Sequence, residues 1–446
     1  MKFVDLKQLF LTYSKSTVLK NILLVGSLTV LVKIVAFYKE TVVASAFGLS
    51  ELLDTFFIAM LVPGFISNVF IGAFGSVFIP NYVKASKSEN DLRAFQTTGF
   101  LITIGISAVF TLIAILFTDT FIETFFSGHT TAYYNLIKVQ FYYIVPCIFI
   151  WGLNSLLSGL LHISGEFKTP TFIGIITPIC FLICITFFNE QLGESILAIS
   201  LLIGTILEFL SILVVAFAKK IIKLSNPNFK SPNIKIMLEQ IPAKVSSGFL
   251  TGLIPVTDQY FAAKLAIGSI ASLNYGLKIP AFLTSILIIS MSKVLLPHFS
   301  KLVIEDKKLA FDKLFYSLKR LFIVTSIAAI CVIIISPWLI EFLFERGEFT
   351  SKNTEIVSLL QIIFLVYAPF TVCGMVLVNF LTSLNENNFM AKVSFVAVIL
   401  NLVLDFIFMK YYGVYGIALC TTTVFIVRAV ILYRYTLKLK NQHNLV

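Results

Sequence analysis

Apolar stretches of about 20 residues follow one another along almost the whole chain, and they limit what it can fold into. An α-helix rises 1.5 Å per residue, so such a stretch crosses the roughly 30 Å hydrocarbon core of a bilayer. Hydrophobic residues make up 58% of the chain and charged residues only 13%, whereas soluble domains average roughly 45–50% and 25%. Because one water-soluble core cannot bury this excess, the sequence predicts an all-α, polytopic membrane protein.

Twelve of these stretches are long enough to be transmembrane helices. Their predicted limits are 21–46, 54–79, 95–118, 134–161, 170–188, 194–218, 238–263, 269–296, 316–343, 355–382, 391–409 and 413–433. The loops between them are short, so no sizeable soluble domain is expected. Residues 1–18 combine Phe and Leu with Lys and predict a short interfacial helix before the first span.

The distribution of Lys and Arg predicts the orientation of the spans. If the N-terminus lies inside the cell, the outer loops carry only Arg346, Lys352 and Lys410, and most other basic residues fall on the inner side. Cytoplasmic loops are enriched in Lys and Arg, so both termini are predicted to be cytoplasmic. The formal net charge of +11 comes from basic residues that lie mostly in loops, next to lipid headgroups. Membrane lipids rather than nucleic acid are therefore the expected partner.

The chain shows signs of two similar halves. The basic segment 219–235 lies between the sixth and the seventh predicted span. Pro63 and Pro80 are 17 residues apart, and Pro280 and Pro297 repeat that spacing. Internal repeats are common in transporters, whose substrate site lies between them. We therefore expect two six-helix bundles around a central cavity. The predicted domains are 1–225 and 226–446.

Three lysines lie where charge is costly. Lys33 and Lys39 fall inside the first predicted span, and Lys278 falls in the eighth, two residues before Pro280. Such charges usually face a water-filled cavity or pair with an opposite charge. Two interpretations follow: Lys–acid pairs that hold helices together, or a cationic cavity for an anionic substrate. Eight Lys and Arg residues fall within or at the edges of the spans, more than the acids there, and this excess favours the cavity. Those acids are Glu40, Asp54, Glu208, Asp258 and Asp405.

Polar residues in the second half indicate a cation site. Asn401 and Asp405 are four residues apart in the eleventh span and share one helix face. Asp258 lies in the seventh span and Thr421 in the twelfth. Their carboxylate, amide and hydroxyl oxygens are hard ligands that would not hold a soft metal. These four residues are therefore predicted to bind a coupling ion, Na⁺ or a proton; an interhelical hydrogen-bond network is the alternative. No tightly bound cofactor is expected.

Motifs of enzyme chemistry are absent from the sequence. It contains no P-loop, no GxSxG and no HExxH. The outer loops are too short to hold the catalytic acids that a membrane glycosyltransferase, polymerase or ligase needs. We therefore expect a transporter rather than an enzyme, driven by an ion gradient, the membrane potential or the substrate gradient.

Several motifs resemble those of one transporter family. The stretch FYKETVVASAFGLSELLDTFFIAMLVPGFISNVFIGAFGSVFIPNYVK (37–84) is similar to the signature of the MurJ/MviN lipid II flippases, in the multidrug/oligosaccharidyl-lipid/polysaccharide exporter superfamily. Further matches are LNYGLKIP (273–280), LLPHFSK (295–301), LFERGEF (343–349) and GVYGIAL (413–419). Together they spread over nearly the whole chain.

The resemblance implies a flippase in the bacterial cytoplasmic membrane. It would move an undecaprenyl-diphosphate-linked saccharide from the inner to the outer leaflet by alternating access. The residues that match the family's substrate cavity are Lys33, Lys39, Glu40, Asp54, Asn274 and Lys278. The three lysines stand where the family typically has Arg, so a point charge replaces bidentate contact with the diphosphate. The family's Arg in the second span is here Ser67 or Asn68.

Other substrates stay open at this point. Lipid II, the peptidoglycan precursor, is the first expectation. A flippase for O-antigen, capsule or exopolysaccharide precursors is the nearest alternative, because three cavity positions have changed from Arg to Lys. A cation-coupled drug antiporter of the same superfamily is a further alternative, although it would favour an acidic cavity.

Overall fold

The computed structural model describes residues 17–86, 89–126 and 128–444. Within these ranges the secondary structure is helical, apart from one β-bridge between Arg346 and Phe349. This confirms the predicted all-α class. The predicted interfacial helix over 1–18 falls almost wholly outside the described residues.

The first half of the described chain forms ten α-helices and two short irregular helices. The α-helices are α1 (Thr17–Phe47), α2 (Glu51–Ile66), α3 (Gly72–Ala85), α4 (Glu89–Phe125), α5 (Thr131–Ile144), α6 (Pro146–Ile163), α7 (Lys168–Ile173), α8 (Ile176–Phe187), α9 (Asn189–Leu192) and α10 (Ile196–Ala218). A π-helix, Ser67–Ile71, joins α2 to α3, and a 3-10 helix, Gly193–Ser195, joins α9 to α10.

The second half of the described chain forms five long helices. They are α11 (Pro232–Ala262), α12 (Ser269–Glu305), α13 (Lys307–Phe344), α14 (Ser351–Ser383) and α15 (Asn387–Asn444). The backbone of α15 is interrupted at Gly413, which has a φ of 57°. A residue with a side chain rarely adopts this conformation, so glycine allows the chain to reverse here.

The predicted spans coincide with these helices. Among the described residues, eight helical segments are long and apolar enough to cross a membrane, and the last of them, Asn387–Gln442, contains the eleventh and twelfth predicted spans. The predicted spans 21–46, 238–263 and 269–296 lie in α1, α11 and α12. The chain is therefore a polytopic membrane protein.

The described residues divide into two compact units. The N-terminal unit takes its described residues from Met1–Val43, Ala59–Phe121 and Thr131–Val245. The C-terminal unit takes its described residues from Ala44–Ile58, Ile122–Thr130 and Ser246–Val446. Two short pieces of the first half thus belong with the second. The predicted domain limits of 1–225 and 226–446 stay a prediction.

Aromatic side chains fill the core of each unit. In the N-terminal unit the buried rings of Phe78 and Phe95 stack with centroids 5.6 Å apart. In the C-terminal unit Phe380 packs edge-on against Phe299 at 5.2 Å and Phe311 at 5.0 Å. Aromatic pairs at these separations add stabilisation beyond the area that they bury. These cores hold the helices that carry the polar residues described next.

Candidate cation and substrate sites

The predicted cation ligands form one cluster in the C-terminal unit. Asp258 on α11 accepts two hydrogen bonds from α15, one on each carboxylate oxygen. Asn401 donates through Nδ2 to Oδ1 at 2.9 Å, and Thr421 donates through Oγ1 to Oδ2 at 2.7 Å. Asn401 is fully buried and Thr421 is only 4% exposed. The helices thus bring together residues that are far apart in sequence.

The break at Gly413 places both parts of α15 at this cluster. Asn401 before the break contacts Cys420 after it, and Phe408 lies against Gly416. These pairs show that the two parts run antiparallel, as a helical hairpin. A Cβ at Gly416 would overlap the carbonyl group of Phe408, so the close approach requires glycine.

Asp405 adds a second acid to the cluster. Its side chain is fully buried, and neither carboxylate oxygen has a hydrogen-bond partner among the described residues. It lies close enough to Asp258 for the two carboxylates to interact electrostatically. Two buried acids repel unless a cation or a proton compensates them. The oxygen-rich set therefore fits Na⁺ or H⁺.

Two further residues shape this cluster, and sequence reasoning missed them. Thr257 donates through its hydroxyl to Oδ1 of Asn401, which turns the amide so that Nδ2 faces Asp258. Cys420 donates through Sγ to the carbonyl oxygen of Asn401 at 3.3 Å. Thr257 directly precedes Asp258, but nothing in the sequence pairs it with Asn401. Among the described residues no group of three or more His, Cys, Asp or Glu is placed to hold a metal.

The predicted cationic residues of the first span differ in their surroundings. Lys33 on α1 is exposed, whereas Lys39 is half-buried. Nζ of Lys39 donates to Oε1 of Glu40 at 2.5 Å and lies 4.7 Å from the ring centroid of Phe181. Lys39 is thus paired with an acid and stacked on an aromatic face, which compensates its charge. Both lysines lie in α1, which contains the first predicted span, and of the two Lys39 is the one that protein partly encloses.

Asp54 makes contacts that stabilise the fold. It is 2% exposed, and its carboxylate accepts backbone N–H bonds from Gly268 to Oδ2 and from Ala271 to Oδ1, both at 2.7 Å. These groups belong to the N-terminal end of α12, where a helix has unpaired donors and a partial positive charge. Asp54 therefore caps α12 within the C-terminal unit. Its predicted contact with substrate stays a prediction.

The remaining predicted substrate residues lie on α12. Asn274 and Lys278 are four residues apart, so they share one helix face, and both are half-buried. Nδ2 of Asn274 donates to the carbonyl oxygen of Ile270 at 2.9 Å. This bond leaves the amide oxygen of Asn274 available to a ligand.

Membrane-spanning helices with buried acids and partly buried lysines define a polytopic membrane transporter. The particular family follows from the sequence. A family model described as "Lipid II flippase MurJ" matches residues 43–445, and the chain belongs to that family. A family of flippases is a family of transporters, so this protein is a transporter rather than an enzyme.

Individual relatives agree with this assignment. The chain is 25% identical over 433 residues to a probable lipid II flippase MurJ of Buchnera aphidicola, covering 94% of this chain and 83% of the relative. It is 26% identical over 399 residues to a probable lipid II flippase MurJ of Aquifex aeolicus, covering 87% of this chain and 77% of the relative.

Solved structures show the same fold. A lipid II flippase MurJ in an inward closed conformation matches with a TM-score of 0.78 and 25% identity, covering 93% of this chain and 87% of that one. An inward-facing multidrug resistance MATE family transporter matches with a TM-score of 0.79 at 12% identity, covering 94% and 98%. The second likeness concerns the fold alone. The predicted family is confirmed.

Proposed function

We propose that this protein is a lipid II flippase of the bacterial cytoplasmic membrane. It moves the undecaprenyl-diphosphate-linked peptidoglycan precursor from the inner to the outer leaflet by alternating access, and both of its termini are cytoplasmic. The observation that carries the proposal is the family match over residues 43–445. Relatives that bear the lipid II flippase name cover most of the chain, and a solved flippase shares its fold.

The diphosphate of the substrate binds lysine side chains in this proposal. In the N-terminal unit, Lys33 is exposed and Lys39 is held by Glu40 until an anion arrives. A diphosphate carries more charge than one carboxylate, so it replaces Glu40 as the partner of Lys39. In the C-terminal unit, Lys278 with Asn274 forms a second, separate contact point. Lysine binds phosphate as a point charge, which tolerates movement of the substrate.

The Asp258 cluster, consisting of Asp258, Asn401, Asp405 and Thr421, is the coupling site in this proposal. Na⁺ or H⁺ would offset the charge of two buried carboxylates, one on α11 and one on α15. A cation that binds one arrangement of these helices more tightly shifts the population toward that arrangement. The bound ion thereby resets the transporter after each substrate is released.

The test is depletion of this protein in its own host, followed by mass spectrometry of the lipid extract. We expect undecaprenyl-diphosphate-muropeptide to accumulate and wild-type protein supplied in trans to reverse the accumulation. A Lys39→Ala protein made at the same level should not reverse it. Accumulation of a different undecaprenyl-diphosphate-saccharide, with lipid II unchanged, would contradict the proposal and assign the protein to an O-antigen, capsule or exopolysaccharide pathway.

A further inference from the structure

A pocket with both polar and apolar lining residues lies in the N-terminal unit, between two membrane-spanning segments. It has a volume of about 400 Å³, between the π-helix Ser67–Ile71 and one face of α6. This volume is within the roughly 300–1,000 Å³ range of small-molecule sites. Its polar lining residues are Ser67, Asn68, Asn154, Ser155 and Ser158, beside the indole of Trp151.

The local sequence explains why these side chains meet. Trp151, Asn154, Ser155 and Ser158 follow the i, i+3, i+4, i+7 spacing of one helix face. Polar side chains at membrane depth are costly against lipid, so such a face indicates a wet cavity or a ligand. On the opposite wall, the π-helix has more residues per turn than an α-helix, and π-helical segments recur at functional sites.

A half-buried acid, Glu208, orients the central amide of this pocket. Nδ2 of Asn154 donates to Oε1 of Glu208 at 3.2 Å, and Thr177 donates through Oγ1 to Oε2 of Glu208 at 2.8 Å. The amide nitrogen of Asn154 is therefore engaged. Its carbonyl Oδ1 is buried and has no hydrogen-bond partner among the described residues. Because protein encloses this oxygen, the bonds to Glu208 fix the shape of the pocket wall. The exposed Asn68 and the half-buried Ser155 and Ser158 are the groups that reach a ligand.

The lining selects the chemical class of the ligand. None of the described lining residues carries a formal charge, and Glu208 behind Asn154 adds negative potential. A diphosphate would find no cation there. Amides and hydroxyls donate and accept hydrogen bonds, and the indole offers an apolar face with one N–H group. This combination fits a neutral ring that has hydroxyl groups at its rim and C–H groups on its face, namely a pyranose.

We propose that this pocket is the saccharide subsite of the transporter. One sugar ring of the lipid-linked substrate stacks on Trp151, and its hydroxyls bond to the polar groups of Asn68, Ser155 and Ser158. Ser67 and Asn68, which stand where the family typically has Arg, make this wall neutral. The proposal rests on the proposed function, because it assigns the pocket to the saccharide of the same substrate.

The test compares two ligands that differ only in the saccharide. Lipid II and undecaprenyl diphosphate are titrated into the full-length protein in lipid nanodiscs, and both dissociation constants are measured by native mass spectrometry. We expect Asn154→Ala and Trp151→Ala each to weaken lipid II binding about five- to tenfold. Binding of undecaprenyl diphosphate should stay unchanged, which also shows that the variant is folded.

Two further variants separate an effect of the pocket from a general effect on folding. Asn68→Ala removes an exposed side chain from the pocket wall without touching the Glu208 network, and it should weaken lipid II binding alone. Trp338→Ala is the matched control, because Trp338 is an exposed tryptophan on α13 in the other unit, and it should change neither constant.

The outcomes separate the two proposals. Selective loss of lipid II affinity supports the saccharide subsite. If wild-type protein binds lipid II but the pocket variants bind both ligands as wild type does, the subsite proposal is wrong. It is also wrong if the variants lose affinity for both ligands equally. In either case the flippase proposal stands. Wild-type protein that binds undecaprenyl diphosphate but gains nothing from the saccharide also overturns the subsite. Wild-type protein that binds neither ligand overturns both proposals.

Discussion

The amide of Asn401 donates a hydrogen bond to the carboxylate of Asp258, with 2.9 Å between Nδ2 and Oδ1, across 143 residues of sequence. This bond joins α11 to α15 within the C-terminal unit. It leaves Asp405, on the same helix as Asn401, as a buried acid with no hydrogen-bond partner among the described residues. The cluster thus contains the negative charges of Asp258 and Asp405, which a cation or a proton would compensate.

Removal of either acid should abolish ion dependence. We expect lipid II transport by wild-type protein in proteoliposomes to respond to a Na⁺ or a pH gradient, and transport by Asp258→Asn or Asp405→Asn to lose that response. Each change removes one of the two buried negative charges that attract the ion. The exposed Asp312→Asn is the control. If wild-type transport responds to neither gradient, the cluster is an interhelical hydrogen-bond network.

Substitution of Lys39 should stop transport while the protein still inserts. Lys39→Ala is expected to lower lipid II transport by more than about tenfold, because a charge-assisted contact with phosphate is lost. Lys39→Arg should keep activity, and Lys278→Ala should be impaired like Lys39→Ala. The exposed Lys410→Ala is the control. The measurement is transport per inserted protein, and wild-type activity in Lys39→Ala would contradict the assigned role.

Asp54 should matter for stability rather than for substrate affinity. Asp54→Ala leaves the backbone N–H groups of Gly268 and Ala271 without their carboxylate acceptor. The expected loss is about 1–3 kcal/mol of unfolding free energy. Thermal unfolding in detergent should show a lower midpoint for Asp54→Ala than for wild type. The midpoint of Asp54→Asn should lie between the two, and Glu51→Ala is the control. An unchanged midpoint with weaker lipid II binding would contradict the capping role and support the predicted substrate contact.

Gly347 should tolerate no side chain. Its φ of 59° is in the left-handed region, and a Cβ there would overlap the carbonyl oxygen of Ser45. The same oxygen accepts the N–H bond of Glu348 at 2.8 Å, so it cannot move away freely. The left-handed conformation alone costs roughly 1–2 kcal/mol for a residue with a side chain. We expect Gly347→Ala to lower the yield of folded protein, as measured by size-exclusion chromatography. Gly26→Ala, at a helical glycine with open space around it, should not.

The carboxyl group of Glu166 should titrate at low pH. Hydrogen bonds from Lys219 and Thr169 lower its pKa from the ordinary 4.5 to about 2. A lowered pKa contributes stability that is present above about pH 4.5 and is lost as the pH falls through about 2. Because Lys219 is 53% exposed, the contribution is at most about 1 kcal/mol. A ¹³C NMR titration of Glu166 should show a midpoint below 4.5 in wild type and one closer to 4.5 in Lys219→Ala. Lys223→Ala should leave the midpoint unchanged.

The side chains of the candidate sites that share one helix face could be predicted from the sequence. Asn401 and Asp405 are four residues apart, and a four-residue spacing places side chains on one helix face whatever surrounds the helix. Trp151 and Ser155 are also four residues apart, as are Asn154 and Ser158, so each pair shares one helix face for the same reason. In each case the signal is local, because helical periodicity alone decides which side chains are neighbours.

The membrane class and the positions of the spans follow from local sequence, because the length and hydropathy of a segment decide whether it can cross a bilayer. The contacts of the charged residues, in contrast, depend on how helices that are distant in sequence pack together. Asp54 became a helix cap because Gly268 and Ala271 lie beside it, although they are more than 200 residues away in sequence. Lys39 likewise contacts the ring of Phe181, which is distant in sequence. Contacts between distant helices depend on packing, and packing depends on all the helices at once.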